Sequence, residues 1–194
     1  MDQAILDQMA ELEMRAEREQ LRGVADGIDA LDPEAAKLLY IMALGGKAKN
    51  IIEVGTGVGY STLWLGAAAK VLGGRVVTCE MEPDKAAEAQ ANFAQAGLSD
   101  CVEVLVGDAR EMLRVRDQDG PVDLLFLDAT FGHYETYFDV VYKRLGVGSM
   151  IIADNVVEDA FDLDDYITYV QNHPNLDSQT VKIGAGLEVT VRII

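Results

Sequence analysis

Basic residues are scarce in this chain. Sixteen lysines and arginines stand against 33 aspartates and glutamates, a net charge of −17 with histidine neutral. A field of that sign repels phosphate backbones and anionic membrane surfaces, which makes nucleic acid a poor candidate substrate. A solubilising acidic coat is the plainer reading of the same charge. Cysteine is almost absent: Cys79 and Cys101 lie in apolar runs with no metal-type spacing, as expected of buried thiols in a reducing cytoplasm. No run approaches the ~20 consecutive apolar residues that span a bilayer. The N-terminus opens on acids and glutamines rather than on a basic and then an apolar stretch, so neither a secretory signal nor a membrane partner is expected. Repeats, linkers and low-complexity tracts are missing too. With 194 residues, 49% of them hydrophobic, the chain suits one domain around a single large core.

What is present is a rhythm. Residues 3–22 place Ile5, Met9 and Leu12 on one helical face, as a docking or dimerising helix would, and open an N-terminal helical extension over residues 1–30. Asp32 and Pro33 suit the N-cap and first position of a second helix, with Leu38, Leu39 and Met42 as its buried stripe. From residue 50, the apolar runs "NIIEV", "RVVTCE", "VEVLVG", "VDLLFLD" and "SMIIAD" alternate with helical stretches at 61–72, 84–96, 108–115, 134–145 and 162–172. Strands apolar throughout have both faces covered by helices. The fold class expected is α/β, a doubly wound and mostly parallel seven-stranded sheet spanning a core over residues 31–194. "TVKI" and "LEVTVRII", joined by "GAG", form an antiparallel hairpin at its edge. The N-terminal helix and this edge hairpin together suggest a homodimer.

In such sheets ligands bind beyond the carboxyl ends of the strands. The first strand ends in "EVGTGVGYS", residues 53–61, with glycines at 55, 57 and 59. A phosphate-cradling loop needs Lys-Ser/Thr after its glycines, and Tyr60-Ser61 stands here instead. A dinucleotide fold needs its third glycine one residue later, where Tyr60 sits. The remaining reading, E-x-G-x-G-x-G, resembles the S-adenosylmethionine loop of class I methyltransferases. Glu80 ends the next strand, 21 residues after Gly59, where a carboxylate can accept both hydroxyls of a ribose. Met81 beside it suits the face of an adenine or a gap in the core. Asp108, after the following strand, suits an adenine amine. Each carboxylate alone could equally be a helix N-cap.

Asp128 ends one further strand and the pair Asp154-Asn155 ends the next. Two carboxylates and an amide oxygen are hard ligands of the kind Mg²⁺ prefers, with a loop cap as the alternative for Asp154-Asn155.

The ordered set "LDPEAAKLL", "IIEVGTGVGYSTL", "GGRVVTCEMEPDKA", "VEVLVGDA", "VDLLFLDATFGHYETYF" and "GSMIIADNVV" resembles the cation-dependent O-methyltransferases, the group of catechol and caffeoyl-CoA O-methyltransferases. The resemblance covers residues ~30–194. It implies cofactor contacts from Glu53, Ser61, Glu80, Asp108 and Ala109. With the turn itself, the candidate cofactor residues are Glu53, Gly55, Thr56, Gly57, Gly59, Tyr60, Ser61, Glu80, Met81, Asp108, Ala109 and Asp128. It also implies a divalent cation, Mg²⁺ or another, on Asp128, Asp154 and Asn155, and a small-molecule hydroxylated acceptor completing the coordination. Such a cation acidifies the hydroxyl that receives the methyl group.

The resemblance breaks after Asp128. The family reads Asp-Ala-Asp-Lys there, with a tyrosine three residues past the lysine. This chain has Thr130 for the second acid and Phe131 for the lysine thought to assist deprotonation, while Tyr134 is in place. Phe131 can take no proton. Candidate catalytic residues are therefore Asp128 and His133, whose imidazole titrates near neutrality; a surface histidine starting a helix is the alternative. The stretch "VVEDAFDLDDYITYV" after Asn155 is short and acidic, which disfavours anionic thioesters and favours a small neutral or cationic acceptor. Three other readings stay open: a metal-independent methyltransferase, a tRNA methyltransferase, and a cofactor-binding module without catalysis.

Overall fold

A computed structural model of the chain describes every residue except 25, 26 and 29, which fall in the expected N-terminal extension, and 117–119. Two helices come first, α1 (Gln3–Arg22) and α2 (Pro33–Gly45). Asp32 caps α2 as its sequence suggests, accepting from the amides of Glu34 and Ala35 at 2.9 and 3.1 Å. Strands and helices then alternate: β1 (Asn50–Val54), α3 (Tyr60–Leu72), β2 (Arg75–Glu80), α4 (Pro83–Gln95), β3 (Val102–Val106), α5 (Ala109–Arg114), β4 (Val122–Leu127). A 3₁₀ turn (Phe131–His133) leads to α6 (Tyr134–Tyr142), β5 (Leu145–Ala153), α7 (Ala160–Gln171), β6 (Leu176–Val181) and β7 (Leu187–Arg192).

The strand order is β3-β2-β1-β4-β5-β7-β6. The first five strands run parallel, and β7 joins β5 and β6 antiparallel, so the expected doubly wound sheet with its edge hairpin is what forms. Alternate residues along each central strand enter opposite cores. Ile51, Leu124, Phe126 and Ile152 join helices α1–α4 on one face, while Ile52, Leu125, Leu127 and Ile151 join α5–α7 on the other. This is why those strands read as unbroken apolar runs. Most helix ends shift by one or two residues, and two boundaries differ more. β5 begins at Leu145, so the residues expected to end α6 open a strand instead; β6 begins at Leu176, earlier than "TVKI". Burial along β6 is patchy, so its start carried little apolar signal.

α1 is not a free docking helix. Ile5, Met9 and Leu12 are each at most 2% exposed, packed in the same core as α3 and α4. The apolar face that suggested a second copy is covered by the chain's own helices.

The parallel ladder continues past the strand ends and gathers their tips. The amide of Gly55 donates to Cys79 O (3.0 Å), Gly107 to Glu80 O (2.8 Å), Asp128 to Val54 O (2.9 Å) and Asp154 to Leu127 O (2.9 Å). Gly55 has φ +100°, and a Cβ there would lie 1.7 Å from the carbonyl oxygen of Asp128. Alanine at 55 should therefore cost at least about 3 kcal/mol of unfolding free energy in urea titration. Alanine at Gly57, with φ +53° but open space around it, should cost about 1–2 kcal/mol, the left-handed penalty alone.

Candidate functional site

The gathered tips enclose a cavity of about 500 Å³, a size usual for small-molecule sites. Residues 55–58, Tyr60 and Ser61 form one wall, residues 79–82 a second, and Asp128, Ala129 and Thr130 a third. Gly107, Ala109 and Tyr137 close one end; Arg15, Ile28, Ala30 and Leu31 close the other side. Sequence reasoning found most of the first three walls. It missed the N-terminal contributors and Tyr137, which reach the cavity through tertiary packing that no local pattern announces.

The three glycines do different work. Gly55 admits the tip of β4, and Gly59 (φ +95°) admits the Phe93 ring, 2.5 Å from where its Cβ would stand. Gly59 accordingly does not line the cavity. Only Gly57 faces open space, and its amide donates to Glu80 Oε2 at 2.8 Å. The other oxygen, Oε1, accepts from the amide of Glu82 at 2.9 Å. Glu80 is thus fixed by two backbone donors while it lines the cavity, and each carboxylate oxygen keeps acceptor capacity for a diol. Met81 beside it is 57% exposed and also lines the cavity.

Glu53 lies beneath the turn rather than in the cavity. It is fully buried, accepting from Ser61 Oγ at 2.7 Å and from Thr62 Oγ1. Both hydroxyls belong to the first turn of α3, so Glu53 ties β1 to the helix that follows the glycines. Burial pushes its carboxyl up to about 7, against the pull of the Ser61, Thr62 and Thr78 hydroxyls.

Asp108 also stands apart from the lining, although Gly107 and Ala109 on either side contribute to it. Its carboxylate caps α5 through the amide of Arg110 (2.9 Å) and receives Nε and Nη2 of the same arginine at 3.0 and 2.5 Å. The guanidinium holds it down to about 2. His133 is close enough to act on that carboxylate, and its ring meets Tyr137 edge to face at 6.1 Å.

The last group sits at the tips of β4 and β5. Asp128 lines the cavity, Asp154 is 4% exposed, and Asn155 adopts the left-handed conformation at φ +69°. Asn155 Nδ2 donates to Asp128 Oδ1 at 3.2 Å. The buried Tyr134 hydroxyl accepts from the amide of Ala129 at 3.2 Å. Burial first, and then the negative charges of Asp128 and Asp154, raise the Tyr134 phenol. Asp128 and Asn155 are thus in direct contact, and Asp154 precedes Asn155 at the tip of β5. No cluster of three His, Cys, Asp or Glu side chains occurs among the described residues; this set has two carboxylates and an amide. All three are hard oxygen donors and fit a small divalent cation. Phe131 turns its edge to Tyr134 at 6.2 Å, filling with an aromatic ring the place where a cationic side chain was expected.

The buried Glu53 makes a pH prediction. Its folded value near 7 lies above the ordinary 4.5. Its contribution to stability is thus complete below about pH 4.5 and is lost as pH rises through 7. Glu53→Gln should leave the fold intact and remove a fall of about 3 kcal/mol between pH 5 and 8, read by urea unfolding across that range.

A family model described as a methyltransferase domain matches residues 52–156. Catechol O-methyltransferase of Niastella koreensis is 39% identical over 72% of this chain and 63% of its own length. Catechol O-methyltransferase of Mycobacterium tuberculosis is 32% identical over 79% of this chain and 74% of its own. The crystal structure of the O-methyltransferase from Bacillus cereus in complex with SAH (S-adenosylhomocysteine) superposes with a TM-score of 0.82 at 26% identity, over 96% of this chain and 90% of the other. The chain belongs to the catechol and caffeoyl-CoA O-methyltransferase-like family of class I S-adenosylmethionine-dependent methyltransferases.

Proposed function

We propose that this protein moves the methyl group of S-adenosylmethionine to a hydroxyl of a small, catechol-like acceptor, assisted by Mg²⁺ on Asp128, Asp154 and Asn155. The observation that carries the reading is the continuity of one cavity from Gly57 and Glu80 to Asp128. Glu80 would hold the ribose of a bound nucleoside, and Asp128 would border its sulfonium end. Asp154 and Asn155 wait on the neighbouring strand. The cation supplies a positive charge that lowers the acceptor hydroxyl's pKa. Asp128 serves both partners: it borders the donor and helps orient the acceptor for in-line transfer.

The general base is not supplied from position 131, where the chain has phenylalanine. His133, the other candidate, packs against Tyr137 and is not among the residues that line the cavity, which supports a reading without it. Deprotonation then falls to solvent at an acidified hydroxyl. His133→Ala should leave the pH–rate profile within about 0.3 units of the parent, whereas a true base would remove a limb of the profile.

The chain beyond Asn155 favours neutral or cationic acceptors. Glu158, Asp162, Asp164 and Asp165 are exposed there, and the net charge is −17. A free catechol should turn over faster than a coenzyme A ester bearing the same ring. The hydrogen bond from Asn155 to Asp128 favours a second reading, transfer without a metal, because that pair is held together by the protein itself. Chelation separates the two. The metal-assisted reading expects chelator to cut catechol turnover at least about 100-fold, and Asp154→Ala to do the same while S-adenosylhomocysteine affinity stays within about threefold. Undiminished turnover in chelator would select the metal-independent enzyme.

A further inference from the structure

The glycine turn is held from outside as well as from beneath. Asn92 on α4 donates from Nδ2 to the carbonyl of Val58 at 2.8 Å. Its Oδ1 accepts from Gln8 Nε2 of α1 at 3.1 Å, and both side chains are at least nine-tenths buried. The next residue of α4, Phe93, fills the niche that Gly59 leaves open. Two residues past Val58, the Tyr60 hydroxyl donates to Glu13 Oε1 of α1 at 2.5 Å. Tyr60 is 3% exposed and opens α3, and both it and Ser61 line the cavity. A third link, from Arg15 to Glu88, joins α1 to α4 at the rim, and Arg15 itself lines the cavity.

These bonds do more than pack a helix. Simple packing of α1 is supplied by Ile5, Met9 and Leu12. Gln8 and Glu13 are instead polar groups of α1 directed at the four residues 57–60: Gln8 through Asn92, which holds the Val58 carbonyl, and Glu13 through the Tyr60 hydroxyl. Between those two anchors lies Gly59, and just before them Gly57, whose left-handed conformations a mobile turn would have to regain at each binding event. Fixing them beforehand lowers the ordering cost of binding.

We propose that α1 is a built-in part of the cofactor site, with Glu13 and Gln8 as positioning residues that preset residues 57–60 through Tyr60 and Asn92. The inference rests on the reading of the cavity as the S-adenosylmethionine site. It assigns the N-terminal helix a task in donor binding and none in acceptor choice.

The test is a double-mutant cycle read by calorimetry with S-adenosylhomocysteine. Glu13→Ala and Tyr60→Phe should each weaken binding about tenfold, the loss of one hydrogen bond to a charged group. The double variant should be no weaker than either single one, because both remove the same bond. Glu13→Gln keeps an oxygen that accepts the tyrosine proton and should stay within about threefold of the parent. Gln8→Ala supplies an independent route to the same loss. In turnover, KM for the donor should rise while kcat and the acceptor KM hold. A helix that only stabilises would lower the melting temperature and leave donor affinity untouched; that result, or additive losses in the double variant, overturns the inference. No uptake by the parent protein would instead remove the cofactor reading on which it stands.

Discussion

The place where residue 55 would carry a side chain is occupied by the carbonyl of Asp128. This contact fixes the geometry of the whole site. It lets the turn after β1 press onto the tip of β4, so the residue that ends β4 borders the same cavity as the turn. The rest of the arrangement serves that approach. Glu53 ties the strand below to the helix beyond, Glu80 grips the Gly57 amide, and Phe93 enters the gap at Gly59. A buried carboxyl such as Glu53 is a costly tie, tolerated because three hydroxyls surround it.

Much of this was readable beforehand, and the legible parts share a property: they are local. The Asp32-Pro33 start of α2, the unbroken apolar runs of the buried strands, and the helix stops at Gly73 and Gly97 all express backbone preferences of a few adjacent residues. The ordered carboxylates at strand ends followed once the sheet was parallel. The illegible parts are long-range. Glycine spacing announces a close approach without saying whose, and here two of the three glycines admit the protein itself. The Arg110 clasp on Asp108 is local, but a strand-end carboxylate does not announce it. Glu53 looked like a contact and is a tie beneath the turn. The apolar face of α1 pointed outward in the sequence only because nothing local says that α3 and α4 cover it.

The departures from the family pattern sit together at the acceptor end. Thr130 and Phe131 remove an acid and a base from the stretch after Asp128, while Tyr134, Asp154 and Asn155 keep their arrangement. The structure explains how Phe131 is accommodated, edge-on to Tyr134 and packed at the margin of the second core. The ring adds apolar contact to that core where the family pattern has a charge.

The most direct measurement is a crystal structure of the protein with S-adenosylhomocysteine and Mg²⁺. The account expects the ribose hydroxyls on Glu80, the sulfur turned toward Asp128, and the ion among oxygens of Asp128, Asp154 and Asn155. A nucleoside bound away from Gly57 and Glu80, or one whose sulfur points away from Asp128, would contradict it.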